Sequence, residues 1–282
     1  MECKLVDLLR DADKNGYAVP AFNYSDMWEM LGILDAAVEE KSPVIIATNA
    51  QVADCFGIPY LANQAKILIK TLPVPVVNHL DHCVDINKCK LAIDSGYTSV
   101  MIDGSHLSLE ENIALCKEVV DYVGDRNVAV EGEMGRIRGK NAEGVYTGDD
   151  YLVNVEAAVR LANETGINSM AIGIGNAHGF YVEKPQINFE RLNEVNSSTN
   201  IPLVLHGGTG IPKEDVQKCI SLGINKVNVG THLHNAYLVA VREYSKNNPD
   251  AINVVNAFQT VRAAVKEEAK KWIKVCMSDG RA

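Results

Sequence analysis

Eight short runs of apolar and β-branched residues, each followed by an amphipathic stretch, recur along the 282-residue chain and predict an α/β fold. The runs are apolar throughout rather than alternating, which is the pattern of parallel strands covered by helices. No linker, low-complexity segment or domain boundary interrupts the series. Together these observations predict one (β/α)8 TIM barrel domain over residues 1–282, with a C-terminal helix. Counting alone also admits a doubly wound open sheet; the barrel is the preferred reading.

The expected strands are residues 17–23, 43–49, 74–81, 99–104, 128–135, 169–175, 202–208 and 224–230. Helix signals fall between them. Gly96 and Gly166 stop two helices in the way a left-handed C-cap does. Ser108-Leu109-Glu110-Glu111 reads as a capping box ahead of a helix that turns Ile113, Cys116 and Val120 inward. Pro212 suits a first helical turn, Val216 and Ile220 face the core, and Gly223 closes that helix.

Composition narrows the function. With 47% hydrophobic and 22% charged residues the chain has ordinary globular composition and length enough for a large core. A formal net charge of −9 without a dense basic cluster argues against nucleic acid, though not against a small anionic substrate. No apolar run nears the ~20 residues of a membrane span, and the first residues lack the apolar core of a signal peptide. Seven scattered cysteines without a C-x-x-C pair read as free thiols, so a cytoplasmic location is expected.

In a barrel, chemistry gathers at the C-terminal strand ends. Those ends carry Asn23, Asn49, Asp81-His82, Asp103, Glu133, His178, His206-Gly207-Gly208-Thr209 and Asn228. A lone strand-end histidine is more often a hydrogen-bonded structural residue. Three of them, His82, His178 and His206, converge on one mouth and suit a catalytic zinc with an open position. Cobalt or iron would fit the same ligands; zinc is preferred. Asp81 reads either as a carboxylate orienting a neighbouring imidazole or as a general acid/base. Asp103 and Glu133 read equally as a second metal position, as orienting groups or as charge balance. His79 is expected to point toward the barrel, His106 to be a loop residue, and His232 and His234 to lie on the surface of the last helix. The glycine-rich ends Gly207-Gly208-Thr209-Gly210 and Asn228-Val229-Gly230-Thr231 offer backbone N–H groups and hydroxyls to a phosphate.

These segments together resemble the class II, metal-dependent ketose-bisphosphate aldolases, in the fructose- and tagatose-bisphosphate branch. The resemblance spans nearly the whole chain, from Val19-Pro20-Ala21-Phe22-Asn23 and Ser42-Pro43-Val44-Ile45 onward. It is most specific at His79-Leu80-Asp81-His82, Met101-Ile102-Asp103-Gly104-Ser105, Val130-Glu131-Gly132-Glu133-Met134-Gly135, Ala177-His178-Gly179 and Leu205-His206-Gly207-Gly208.

The resemblance implies that His82, His178 and His206 bind Zn2+, with Asp103 and Glu133 near an alternative metal position. It implies that Asp81 is the proton donor acting at the C4 hydroxyl oxygen. Gly179, Gly207, Gly208, Thr209, Asn228, Val229, Gly230 and Thr231 would surround the dihydroxyacetone-phosphate half, with Asn23 and Asn49 completing the substrate contacts. A monovalent cation (Na+ or K+) beside the phosphate is a family feature. The family also uses a mobile-loop glutamate as a base; Glu143 is the nearest candidate, at a spacing that differs from the usual one. The expected reaction is cleavage of a fructose- or tagatose-type 1,6-bisphosphate into dihydroxyacetone phosphate and glyceraldehyde 3-phosphate by a homodimer or homotetramer. Alternatives are a deoxy-ketose phosphate of inositol catabolism, or a silent metabolite-binding paralogue. The chain departs from the family around the phosphate: Val182 follows Phe180-Tyr181 where relatives carry lysine, so Lys184 is the substitute expected. A zinc hydrolase would need an H-x-H pair on its first strand, which is absent, and Lys226 lies too near its strand's start to serve as a Schiff base.

Overall fold

The computed structural model describes residues 3–137, 151–179 and 185–282. Its elements run α1 (Leu5–Asn15), β1 (Val19–Asn23), α2 (Met27–Glu39), β2 (Val44–Asn49), α3 (Ala50–Phe56), α4 (Ile58–Ile69), β3 (Val76–Cys83), α5 (Ile86–Ser95), β4 (Ser99–Ile102) and α6 (Leu109–Val123). They continue with β5 (Ala129–Met134), α7 (Val155–Thr165), β6 (Ser169–Ile172), α8 (Phe189–Ser198), β7 (Leu203–Leu205), α9 (Lys213–Ser221), β8 (Ile224–Val229), α10 (Thr231–Asn247) and α11 (Val254–Val275). The eight strands are parallel and close in chain order, with β8 pairing back on β1. Closure rules out the doubly wound sheet.

Alternation along the strands sorts the side chains. Phe22, Ile46, Leu80 and Val100 point outward into the core shared with the helices. Val19, Ala21, Ile45, Val77 and Ala129 point inward, where Leu5, Leu9 and Ala12 of α1 plug the bottom of the barrel. Burying a leucine in that plug contributes about 1.5–3 kcal/mol, which explains an apolar stripe in an otherwise polar helix. The next inward layer is polar: His79, Ser99, Glu131, Ser169 and Lys226, all fully buried. Barrel interiors usually hold branched aliphatics at this level. The layer is tolerable because its members satisfy one another, Lys226 Nζ lying 2.7 Å from Glu131 Oε2.

β3 departs from regular pairing. His79 and Leu80 oppose Ser99 and Val100, and then Cys83 opposes Ile102, so two residues of β3 face one of β4. This is a β-bulge. His82 sits in it at φ 47°, a left-handed conformation costing a non-glycine residue roughly 1–2 kcal/mol.

Some local expectations need correction. β6 and β7 end at Ile172 and Leu205, short of residues 175 and 208, while β3 runs on to Cys83. Pro212 is the N-cap of α9 rather than a first-turn residue, and Gly223 follows the Leu222 cap. α10 is not the last helix, since α11 packs across it and α2. The capping box at Ser108 and Glu111 is present. All seven cysteines are free, five of them buried. Among the described residues no helix is long and apolar enough to cross a membrane.

Candidate active site

A cavity of about 580 Å³ opens at the C-terminal strand ends. It brings together Asn23, Asn49, Asp81, His82, Asp103, Glu133, His178, Gly179, His206, Gly207, Thr209, Asn228, Gly230 and Thr231. Two expected contacts are not in its wall. Val229 packs outward into the core beneath the helices, because it follows inward-facing Asn228 by one residue. The Gly208 N–H donates to the Asn228 carbonyl, 3.1 Å away, so it is not offered to a ligand. Glu143 and Lys184 lie outside the described residues.

The three histidines reach one point by different routes. The bulge turns His82 to the same side as Asp81. His178 lies six residues beyond the end of β6, in a loop fixed by Asn176, whose Nδ2 donates to the His206 carbonyl at 2.9 Å. His206 follows β7 directly. His82 Nε2 lies 3.0 Å from His178 Nε2 and 2.8 Å from His206 Nδ1. The other nitrogen of His206 lies 3.0 Å from Glu131 Oε1. That contact fixes the proton on Nε2 and leaves the Nδ1 lone pair for the centre.

Three imidazole nitrogens facing one another repel unless a proton or a cation sits between them. The surrounding charge favours a cation. Burial lowers the His82 pKa, but Asp81, Asp103 and Glu133 outweigh it and hold the group up at about 10. Burial and the neighbouring imidazoles depress His178 to about 3, and they also lower His206. A divalent cation fits this donor set, and His82, Asp103 and Glu133 form a second group of converging ligand atoms. Glu133 Oε2 is buried with no hydrogen-bond partner among the described residues, as expected of an oxygen that meets a cation.

Asp81 is nearly fully buried. Its Oδ2 accepts from Asn23 Nδ2 at 2.8 Å and its Oδ1 from Asn228 Nδ2 at 3.1 Å. Burial alone would raise its pKa; the imidazoles of His82, His206 and His79 and the Lys226 ammonium reverse this and hold it well below the usual carboxylate range. The carboxylate is therefore fixed in position and ionised. On the neighbouring wall, Thr209 Oγ1 and Asn228 Oδ1 are buried without partners among the described residues. They flank Gly207 and Gly230, where a polar ligand group would satisfy them.

Several cavity residues escaped the sequence reading: Ser105, Arg136, Tyr151 and above all His234. Glu131 was visible only as part of a motif, yet two carboxylates at i and i+2 on one strand share a face, and that spacing was the available signal. His234 is half-buried at the cavity's rim rather than wholly on the surface. Its Nδ1 donates to the buried Glu29 Oε1 at 2.8 Å. His232 faces away from the cavity, accepting from Trp272 Nε1 at 3.0 Å.

No described lysine lines the cavity, and Lys226 is ion-paired in the layer beneath it. The three imidazoles and the buried carboxylate meeting at one mouth suit metal-assisted chemistry. Comparison with known proteins agrees. Residues 3–281 match the family model described as fructose-bisphosphate aldolase class-II. A 6-phospho-5-dehydro-2-deoxy-D-gluconate aldolase from Bacillus licheniformis is 39% identical over 279 residues, 98% of this chain and 95% of its own. The crystal structure of the YdjI aldolase from Escherichia coli K12 superposes with a TM-score of 0.87 at 33% identity, covering 100% of both chains. A fructose-bisphosphate aldolase from Campylobacter jejuni, 23% identical, shares the fold with a TM-score of 0.83 over 100% of this chain and 97% of its own. The chain belongs to the class II fructose-bisphosphate aldolase family, and it is a lyase.

Proposed function

We propose that this aldolase is zinc-dependent and cleaves a six-carbon ketose phosphate between the third and fourth carbons counted from the phosphate beside the ketone. The products are dihydroxyacetone phosphate and a three-carbon aldehyde. The observation that carries this reading is the meeting of three imidazoles with a buried, doubly anchored carboxylate at one point.

His82 Nε2, His178 Nε2 and His206 Nδ1 would hold the cation, which supplies positive charge against the negative charge developing on the dihydroxyacetone-phosphate half. In cleavage, Asp81 takes the proton from the hydroxyl on the fourth carbon as the carbon–carbon bond breaks and that oxygen becomes the aldehyde carbonyl. In condensation it returns the proton. The amides of Asn23 and Asn228 keep its two oxygens aimed, and both favour the ionised form that cleavage requires.

Fructose and tagatose 1,6-bisphosphates were the first expectation. The Bacillus licheniformis relative moves the preference to the alternative, a deoxy-ketose phosphate. A 6-phospho-5-dehydro-2-deoxygluconate carries the same ketone–phosphate end but terminates in a carboxylate. Arg136 lines the cavity, and a planar guanidinium suits a terminal carboxylate. A panel of the three substrates on zinc-loaded protein, scored for triose-phosphate release, tests this. A higher kcat/KM for fructose or tagatose bisphosphate would restore the first expectation, and no release from any of them would overturn the reading.

A further inference from the structure

The first turn of α10 puts His234 on the helix face of Thr231, three residues earlier, at the cavity's edge. His234 is about a third exposed, whereas Glu29, its partner, is completely buried. Glu29 is held from three sides. Its Oε2 accepts the Ser25 N–H at 2.7 Å, its own N–H donates to Asp26 Oδ1 at 2.9 Å, and its Oε1 takes the His234 Nδ1–H at 2.8 Å. Tyr237, on the next turn of α10, donates to Asp26 Oδ2 at 2.7 Å and locks the two helices in register.

This arrangement has a chemical consequence. The Ser25 contact alone would complete an N-terminal cap for α2; the second carboxylate oxygen is surplus to that task. A carboxylate removed from water requires a counter-charge, and His234 supplies it. Burial lowers the His234 pKa, but the Glu29 hydrogen bond and charge more than restore it, raising it above the ordinary value. With Nδ1 committed to Glu29, Nε2 has no hydrogen-bond partner among the described residues and is the edge left for the cavity. In the wall of the same cavity, Thr209 Oγ1 and Asn228 Oδ1 are buried without partners among the described residues.

We propose that His234, held by Glu29, contacts the substrate's phosphate at the start of α10 and supplies a cation there. This rests on the aldolase reading above, since it assigns a contact within the same site. Glu29 acts as a positioning residue.

Binding of dihydroxyacetone phosphate to zinc-loaded protein, measured by calorimetry, tests the proposal without turnover, so it stands or falls independently of the substrate panel. His234→Gln should weaken dihydroxyacetone phosphate about ten- to a hundredfold, the loss of one charged hydrogen bond, with zinc content unchanged. His234→Lys should recover most of the loss, and Glu29→Gln should share part of it. Unphosphorylated dihydroxyacetone should bind all these proteins alike. Equal dihydroxyacetone phosphate affinity in His234→Gln and the parent would overturn the proposal. So would an equal loss for dihydroxyacetone, or a raised substrate KM with dihydroxyacetone phosphate binding intact, which would move the contact to the other end of the substrate.

Discussion

His206 Nε2 lies 3.0 Å from Glu131 Oε1, and the opposite edge of the ring thereby faces His82 Nε2. Glu131 is itself pinned by Lys226. The chain of contacts runs from β8 through β5 to β7, so the orientation of one candidate ligand is set in the barrel interior. Glu131→Gln should lower zinc affinity about 10–100-fold, read by competition with a chromophoric chelator. Lys226→Met strands a buried carboxylate and should cost about 3–5 kcal/mol in urea unfolding. A double Lys226→Met, Glu131→Gln variant should recover part of that. Unchanged zinc affinity in Glu131→Gln would show that the contact only packs the barrel.

The converging imidazoles predict about one tightly held divalent cation per chain. Dialysis against a chelator should abolish cleavage, and zinc or cobalt should restore it. Elemental analysis alongside the assay is decisive, because full activity in verified metal-free protein would end the metal-dependent reading.

Asp81 is expected to move protons, with no part in holding the metal. Asp81→Ala should reduce kcat by about 10²–10⁴ while zinc content stays near one per chain. Parallel loss of zinc and activity would instead make Asp81 a support for its neighbour His82.

Gly207 adopts φ 66°, and a Cβ there would run into the backbone carbonyl of Ala177. The β6 and β7 loops thus touch backbone to backbone beside His178 and His206. Gly207→Ala should cost about 1–2 kcal/mol from the left-handed conformation alone, plus displacement of the His178 loop. Both melting temperature and zinc affinity should fall. A normal zinc affinity with a lowered melting temperature would show that the loop yields without moving His178.

Much of this was legible in the chain. The eight apolar runs were found because parallel strands are buried on both faces, and the ligand candidates His82 and His206 because they stand where those runs stop, with His178 in the loop beyond one of them. The ends of β6 and β7 were placed too late, since Gly173, Gly175, Gly207 and Gly208 prolong an extended pattern that no neighbouring strand pairs. β3 was placed too short because its bulge has no glycine to announce it; His82 takes the left-handed conformation itself. His234 was misread for another reason. Its partner is Glu29, 205 residues away in sequence, and a helix's own pattern does not reveal which neighbour covers it.

The bulge in β3 also has a mechanical meaning. In a regular strand, two side chains that serve the same face are at least two residues apart. By admitting one extra residue, β3 turns the immediate neighbours Asp81 and His82 to a single side. Their Cα atoms are then separated by one planar amide, a fixed span of about 3.8 Å. Asp81 and His82, the proposed proton acceptor and one candidate ligand, are thereby held together as one stiff unit. Deleting a residue between Leu80 and Cys83 would make a more ordinary sheet and take that unit apart.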